Sequence, residues 1–304
     1  MSPRTPSWWP ADAVVCVEDL VAYRLVGASA CADRITGVLA AVAVESQSLG
    51  RSVVADVQEA GSLLCALKPD TALYRNIVRL LVRAADDGGA QGVRRACRRL
   101  SDRRLAAREA VVRVAVGALA DAAVVLVHDY SSTVVRILEG LDTARRVVVT
   151  SGEPLGQGLR VARLAAAAGH AVIYTPDMSV GRVIGEVDAF VTGVESFYLD
   201  GSLSNTVGTL SLGLLCRHAG VPVVAPAELL KWQSDAVTAG QADLDARLLR
   251  QWPGEPLPDG SSVVDFVLDA VPAELVSSYA TEEGTLEPSQ VASRAASAFA
   301  ALMT

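Results

Sequence analysis

Two carboxylates fall where strands give way to loops. Asp129 stands in HDYSS at 128–132, and Glu195 stands in GVESFYLDGSLSNTVGT at 193–209, which also holds Asp200. If Asp129 and Glu195 converge in a pocket shielded from water, their repulsion raises one proton affinity and yields an acid and a base from two similar groups. The alternative is that Asp129 caps the helix starting near Ser131, a frequent task for Asp after a strand. Both readings stay open on sequence alone. Backbone N–H groups at 156–158 and 208–209 open helices, where the helix dipole favours an anion. Lys231 or Arg34 would add positive charge to such a site, and Glu153 would oppose it.

The elements that position these residues follow from the pattern. Short β-branched runs at 122–127, 146–150, 171–175, 187–192 and 221–226 alternate with helical stretches at 132–140, 157–168, 178–185 and 208–219. The expected fold is α/β, an N-terminal helical domain followed by a Rossmann-like parallel-sheet domain. We place the boundary between residues 1–120 and 121–304. Polar residues gather at the C-terminal end of every strand, where open α/β sheets bind ligands. Before residue 120 the apolar spacing is helical, notably at 14–25, 37–46, 71–85 and 105–119. Arg94, Arg95, Arg98, Arg99, Arg103 and Arg104 read as a solvated helix face, with phosphate contact as the alternative. Trp8 and Trp9 suit either a core edge or a partner surface. His128 reads as a strand-end packing or hydrogen-bonding residue, whereas His170 and His218 read as helix-terminal residues without a special task.

The chain has 304 residues, 51% of them hydrophobic, and a net charge of −7. That is enough apolar material for a large core. The acidic balance argues against nucleic acid and anionic membranes, which both need a basic face. Five cysteines without CxxC spacing indicate neither a zinc site nor disulfides, and they point to a reducing cytoplasm. Residues 1–10 lack the apolar run of a signal peptide, and no stretch of 18 apolar residues exists to span a bilayer. Neither GxGxxG nor GxxxxGK[ST] occurs, so no nucleotide cofactor and no metal are expected.

Six stretches together carry a resemblance: HDYSST at 128–133, TSGEPLGQG at 150–158, TPDMSVG at 175–181, GVESFYLDGSLSNTVGT at 193–209, AELLKW at 227–232 and VPAELVSSYATEEGTLEP at 271–288. In order and spacing they resemble one family. Its members are the regulatory (alpha, beta and delta) subunits of eukaryotic translation initiation factor 2B, methylthioribose-1-phosphate isomerase and ribose-1,5-bisphosphate isomerase. DRITGV at 33–38 and LKPDTALYRNIVRL at 67–80 resemble the family's helical motifs more weakly. The resemblance implies a homodimer through the C-terminal domain and a phosphorylated sugar or nucleotide as ligand. An Ala-, Val- and Arg-rich composition reads as bacterial.

Carried over position by position, the isomerases' catalytic Cys is here Asp129 and their catalytic Asp is Glu195. A common Arg is Glu153, and the Lys of NKIGT is Thr206. The binding positions implied are Ser131, Ser132, Gln157, Gly158, Asp177, Asn205, Gly208, Thr209 and Lys231, to which Arg34 is added on charge alone. Two functions follow as expectations: an aldose-ketose isomerase using Asp129 and Glu195, or a catalytically silent regulatory relative that senses a phosphorylated metabolite. A purely structural dimer module is the third reading, against which the polar strand ends weigh.

Overall fold

Valine-rich runs with no polar interruption suit strands covered on both faces, and they form the middle of the main sheet. The structure is a computed structural model that describes residues 5–22, 24, 27–153, 156–234, 260 and 267–303. Strands β1 (Val124–Val127), β2 (Arg146–Thr150), β3 (Ala171–Thr175), β4 (Ala189–Val191) and β7 (Val223–Pro226) pair in parallel. β9 (Ser278–Thr281) joins β7 in parallel, and β10 (Gly284–Leu286) closes an antiparallel hairpin on it. The order is β10-β9-β7-β4-β1-β2-β3.

Side chains alternate across this sheet as a strand's two-residue period requires. Val125, Val127, Val147 and Val149 face one layer, formed by α5 (Ser132–Glu139), α6 (Gly158–Ala167) and the last turns of a long α4 (Ala72–Ala118) through Ala115 and Leu119. Val124, Leu126, Val148 and Phe190 face the other layer, with Leu212 and Cys216 of α7 (Thr209–Ala219) and the turn residues Val180 and Ile184.

The sequence expectations for β2 and β3 match the observed bounds, while β1, β4 and β7 each start two residues later and β4 ends one residue earlier. The stretch 178–185 is corrected: it forms 3-10 turns, Asp177–Arg182 and Ile184–Glu186, in place of an α-helix. The stretch 193–209 is not all loop either. It supplies β5 (Ser196–Phe197) and β6 (Leu203–Thr206), which join β8 (Leu268–Val271) in a small antiparallel sheet.

The helical half comprises α1 (Ala11–Val21), α2 (Ala28–Ser48), α3 (Val53–Leu67) and α4, packed around Ile35, Leu39, Leu64, Leu73, Tyr74 and Ile77. Trp9 is buried in that core and Trp8 packs edge-on against it under the Arg51 guanidinium. α4 absorbs two of the expected helices and is broken at Gly88 and Gly89, the latter with φ 54°. α8 (Pro288–Met303) packs Phe299 and Leu302 on the helical core and Val291 and Ala295 near the small sheet.

The arginine run on α4 departs from a solvated face at one position. Arg104 is 2% exposed, and its guanidinium pairs with Glu228 (3.3 Å) and Asp33. His170 also differs from its expectation: it is buried, accepts from the Arg145 amide (3.0 Å) and donates to the Leu138 carbonyl (2.8 Å), tying α5 to the start of β2. The five cysteines are free thiols, and among the described residues no helix is long and apolar enough to cross a membrane.

Candidate functional site

β1 ends at Val127, and His128 and Asp129 follow it as the chain leaves the sheet. Asp129 is the one non-glycine among the described residues in the left-handed region, at φ 55°. Such a backbone is costly for an L residue and persists only where its surroundings over-determine it. Its carboxyl is buried, at 6% exposure; Oδ2 accepts from the Thr206 hydroxyl (2.7 Å), and Oδ1 is buried without a partner. Burial raises the proton affinity of Asp129, opposed by the Thr206 hydroxyl, the Tyr130 amide and His128, and assisted by Asp177. Asp129 does not cap α5. Ser131 does, accepting from the Val134 amide (3.4 Å), so the capping alternative is corrected. Ser132 opens α5 beside Gly27.

The His128 ring is fixed at both nitrogens. Nε2–H donates to the Val207 carbonyl (2.8 Å), which in the neutral ring leaves Nδ1 to accept from Thr150 Oγ1 (2.6 Å). Gly208, at φ 100°, lies so close that a Cβ there would sit 2.8 Å from His128 Nε2. The loop after β2 covers Asp129 from the other side, since a Cβ at Gly152 would come within 2.9 Å of Oδ1.

Asp177 organises that loop. Its Oδ1 accepts from the Gly152 amide (2.9 Å) and the Ser151 hydroxyl (3.2 Å), and its Oδ2 accepts from the Glu153 amide (2.8 Å). Its oxygens are thus committed to protein amides, a role the binding expectation did not foresee. Gln157 sits at the N-cap of α6, and Gly158 is tucked under the loop, where a Cβ would fall 1.8 Å from the Thr150 carbonyl oxygen. Arg160, on the first turn of α6, lies over the Tyr130 ring at 4.1 Å.

Glu195 faces the helical half. The Thr71 hydroxyl, before α4, donates to its carboxylate, and its own amide donates to the Ser204 carbonyl (2.8 Å). Ser196 reinforces the join: it donates to the Asp70 carbonyl (2.7 Å) and accepts from the Ala72 amide (2.8 Å). β6 thus bonds the side chain of Asp129 through Thr206 and the backbone of Glu195 through Ser204, while the Glu195 carboxylate itself turns to Thr71. Asp200 instead closes a surface turn by accepting from the Ser202 hydroxyl (2.6 Å) and amide (3.0 Å), which keeps its carboxyl below the usual range.

Several expected phosphate contacts are already engaged. Lys231 is buried and donates to the Val194 carbonyl (2.5 Å), and burial lowers its proton affinity against the pull of Glu195 and Glu228. The start of α7 is filled by a carboxylate of the chain itself: Asp269 Oδ2 accepts from the Gly208 (2.8 Å) and Leu210 (2.9 Å) amides. The expectation that Gly208 offers its amide to an anion is thereby corrected. Asn205, in the orientation that satisfies both ends of its amide, donates to the Gly193 carbonyl (3.2 Å) and accepts from the Thr206 amide (3.2 Å) and the Thr209 hydroxyl (2.9 Å). Asn205 and Thr209 thus lock β6 to α7. Arg34 lies exposed on α2 with its side chain against the Cys16 thiol of α1. Among the described residues no cluster of His, Cys, Asp and Glu is grouped to hold a metal ion.

Residues 25–288 match the model of the initiation factor 2 subunit family. The chain belongs to that family. Among sequence relatives, the family's ribose 1,5-bisphosphate isomerase of Haloterrigena turkmenica is 25% identical over 96% of this chain and 94% of its own length. That of Haloferax volcanii is 23% identical over 87% and 85%. Among solved structures, the translation initiation factor eIF-2B of Pyrococcus horikoshii superposes with a TM-score of 0.78 at 21% identity, covering 92% of this chain and 98% of that one. The 5-methylthioribose 1-phosphate isomerase of the same organism gives 0.73 at 17%, covering 96% and 88%. These likenesses establish the fold within the family.

Thr206, Thr71, Gly152 and Asp269 were not singled out as site groups by sequence. Thr206 carried one signal, a departure from the Lys of the resembling motif; the others act through partners distant in the chain.

Proposed function

We propose that the protein binds a phosphorylated sugar or nucleotide at the C-terminal edge of the main sheet and interconverts an aldose and a ketose, with Asp129 as general acid and Glu195 as base. The observation that carries this reading is the buried Asp129 carboxyl, strained in backbone, with an unpartnered Oδ1. A buried polar atom left without a partner is costly, and such sites concentrate where a ligand completes the hydrogen bonding. Relatives named as ribose 1,5-bisphosphate isomerases support the reaction class.

In the proposed reaction on an aldose 1-phosphate, Asp129 gives its proton to the ring oxygen and the bond from that oxygen to C1 breaks. The hydride on C2 moves to C1, and Glu195 takes the proton of the C2 hydroxyl, leaving a ketone at C2. One proton is given and one taken, so the product is an isomer. The same reading carries a homodimer through the C-terminal domain, which light scattering on the purified chain measures.

The test is a thermal-shift screen against pentose 1-phosphates, pentose 5-phosphates, methylthioribose 1-phosphate and nucleoside monophosphates, with each binder followed by NMR for conversion. A ligand at 100 times its Kd stabilises the fold by about 2.7 kcal/mol. The expected outcome is a binder that turns into its ketose, with turnover falling at least about 100-fold in Asp129→Asn and Glu195→Gln while binding persists. A binder that is never converted supports the second reading, a silent sensor. The engagement of Glu195 by Thr71 and the cover of Gly152 over Asp129 favour that reading.

A further inference from the structure

We propose that Thr206 is the positioning residue that fixes which oxygen of Asp129 moves the proton: its hydroxyl donates to Oδ2 and so reserves Oδ1 for the exchangeable proton. This rests on the reading of Asp129 as an acid and goes beyond it by naming the oxygen and the side chain that selects it. A hydroxyl has one proton to donate, and the Thr206 hydroxyl oxygen lies 2.7 Å from Oδ2. An oxygen that accepts a hydrogen bond is the poorer place for the carboxyl's own proton. Oδ1, buried and unpartnered, is the remaining place.

The direction of the Thr206 hydroxyl is itself fixed. Thr206 is β-branched, pairs with Leu268 in the small sheet, and has its amide accepted by Asn205. The Tyr130 amide also lowers the proton affinity of the Asp129 carboxyl, and the other polar groups nearby are committed elsewhere. His128 spends both ring nitrogens on Thr150 and Val207, and Asp177 directs its oxygens to the amides of residues 152 and 153. These two, one at the end of β1 and one after β3, are the titratable groups that act on Asp129. Because Thr206 brings a hydrogen bond without a full charge, the carboxyl keeps its capacity to be protonated.

The experiment is a carboxyl-carbon NMR titration of the whole protein, with the Asp129 signal assigned by its loss in Asp129→Asn. Thr206→Val should move the Asp129 midpoint upward by about one pH unit, a tenfold gain in proton affinity, and Thr206→Ser should restore it. Infrared spectra taken below the midpoint should show the protonated carbonyl stretch rising in frequency in Thr206→Val, because its oxygen has lost a donor. Thr206→Ala serves the same purpose if the valine variant does not fold. An unchanged midpoint and stretch in a folded variant overturn the assignment. Neither readout needs turnover, so an absence of isomerase activity would count against the proposed reaction while the titration still decides the role of Thr206.

Discussion

Two of the buried places that hold unpartnered polar atoms among the described residues are built on opposite principles. At the junction of α4 with the loop after β7, Arg104 leaves Nη2 free and Glu228 leaves Oε1 free, yet the two charges neutralise each other and Asp33 adds a second carboxylate. At the end of β1, Asp129 leaves Oδ1 free with no cation bonded to it, on a left-handed backbone. The first is an ion pair that joins two halves of the chain. The second is a lone acid with a strained backbone, which is what a reacting group requires. Incomplete hydrogen bonding alone thus does not mark a site; the sign and strain of its surroundings separate the two cases.

Breaking the junction gives the largest expected effect. Arg104→Ala leaves Glu228 buried without its cation, which costs about 3–5 kcal/mol and lowers Tm by about 5–8 °C. Replacing both partners by apolar residues, Arg104→Met with Glu228→Leu, should recover most of that loss, because neither charge then needs a partner. Thermal unfolding by calorimetry measures both. A single variant as stable as the parent would remove the distinction between the two places.

The contrast also explains what could be read in advance. β2 and β3 were legible because unbroken β-branched runs fit a covered strand and little else. β5 and β6 were not, since Ser196-Phe197 and Leu203-Ser204-Asn205-Thr206 are short: β5 becomes a strand only by pairing with β6, and β6 by pairing with β8, more than 60 residues on. Arg104 was read with its basic neighbours because Glu228 lies 124 positions away, and helix periodicity carries no information about such a partner. Asp129 and Glu195 were visible as residue types after strands. Their unlike environments, one held by Thr206 and the other by Thr71, depend on contacts of 77 and 124 positions in separation.

A middle effect tests how tightly the Asp129 wall is built. Gly208→Ala places a methyl group 2.8 Å from the His128 ring at a φ of 100°, where an L residue is strained. The expected loss is about 2 kcal/mol, from strain together with the shift of His128. Gly37→Ala on α2 meets no atom within 4 Å and should be neutral or slightly stabilising, which makes it the control. Equal effects at the two glycines would show that the wall yields freely.

The smallest effect has the opposite sign to that at the junction. Asp129→Asn removes the need to bury a charge that has no cation bonded to it and keeps an oxygen for the Thr206 hydroxyl, so stability above the folded midpoint of Asp129 should rise by about 1 kcal/mol. The pH dependence follows from the raised proton affinity of Asp129 in the fold. Between the unfolded and folded midpoints the native state holds more protons than the unfolded chain, so stability falls as pH rises through that window. Its contribution is therefore fully present below the unfolded midpoint and lost above the folded one. Asp129→Asn should flatten this part of the profile, with the gain largest above the folded midpoint and vanishing toward acid, as urea unfolding at a series of pH values would show. A loss of stability above that midpoint would instead mean that the Asp129 charge is compensated as fully as that of Glu228, and the two buried places would be of one kind.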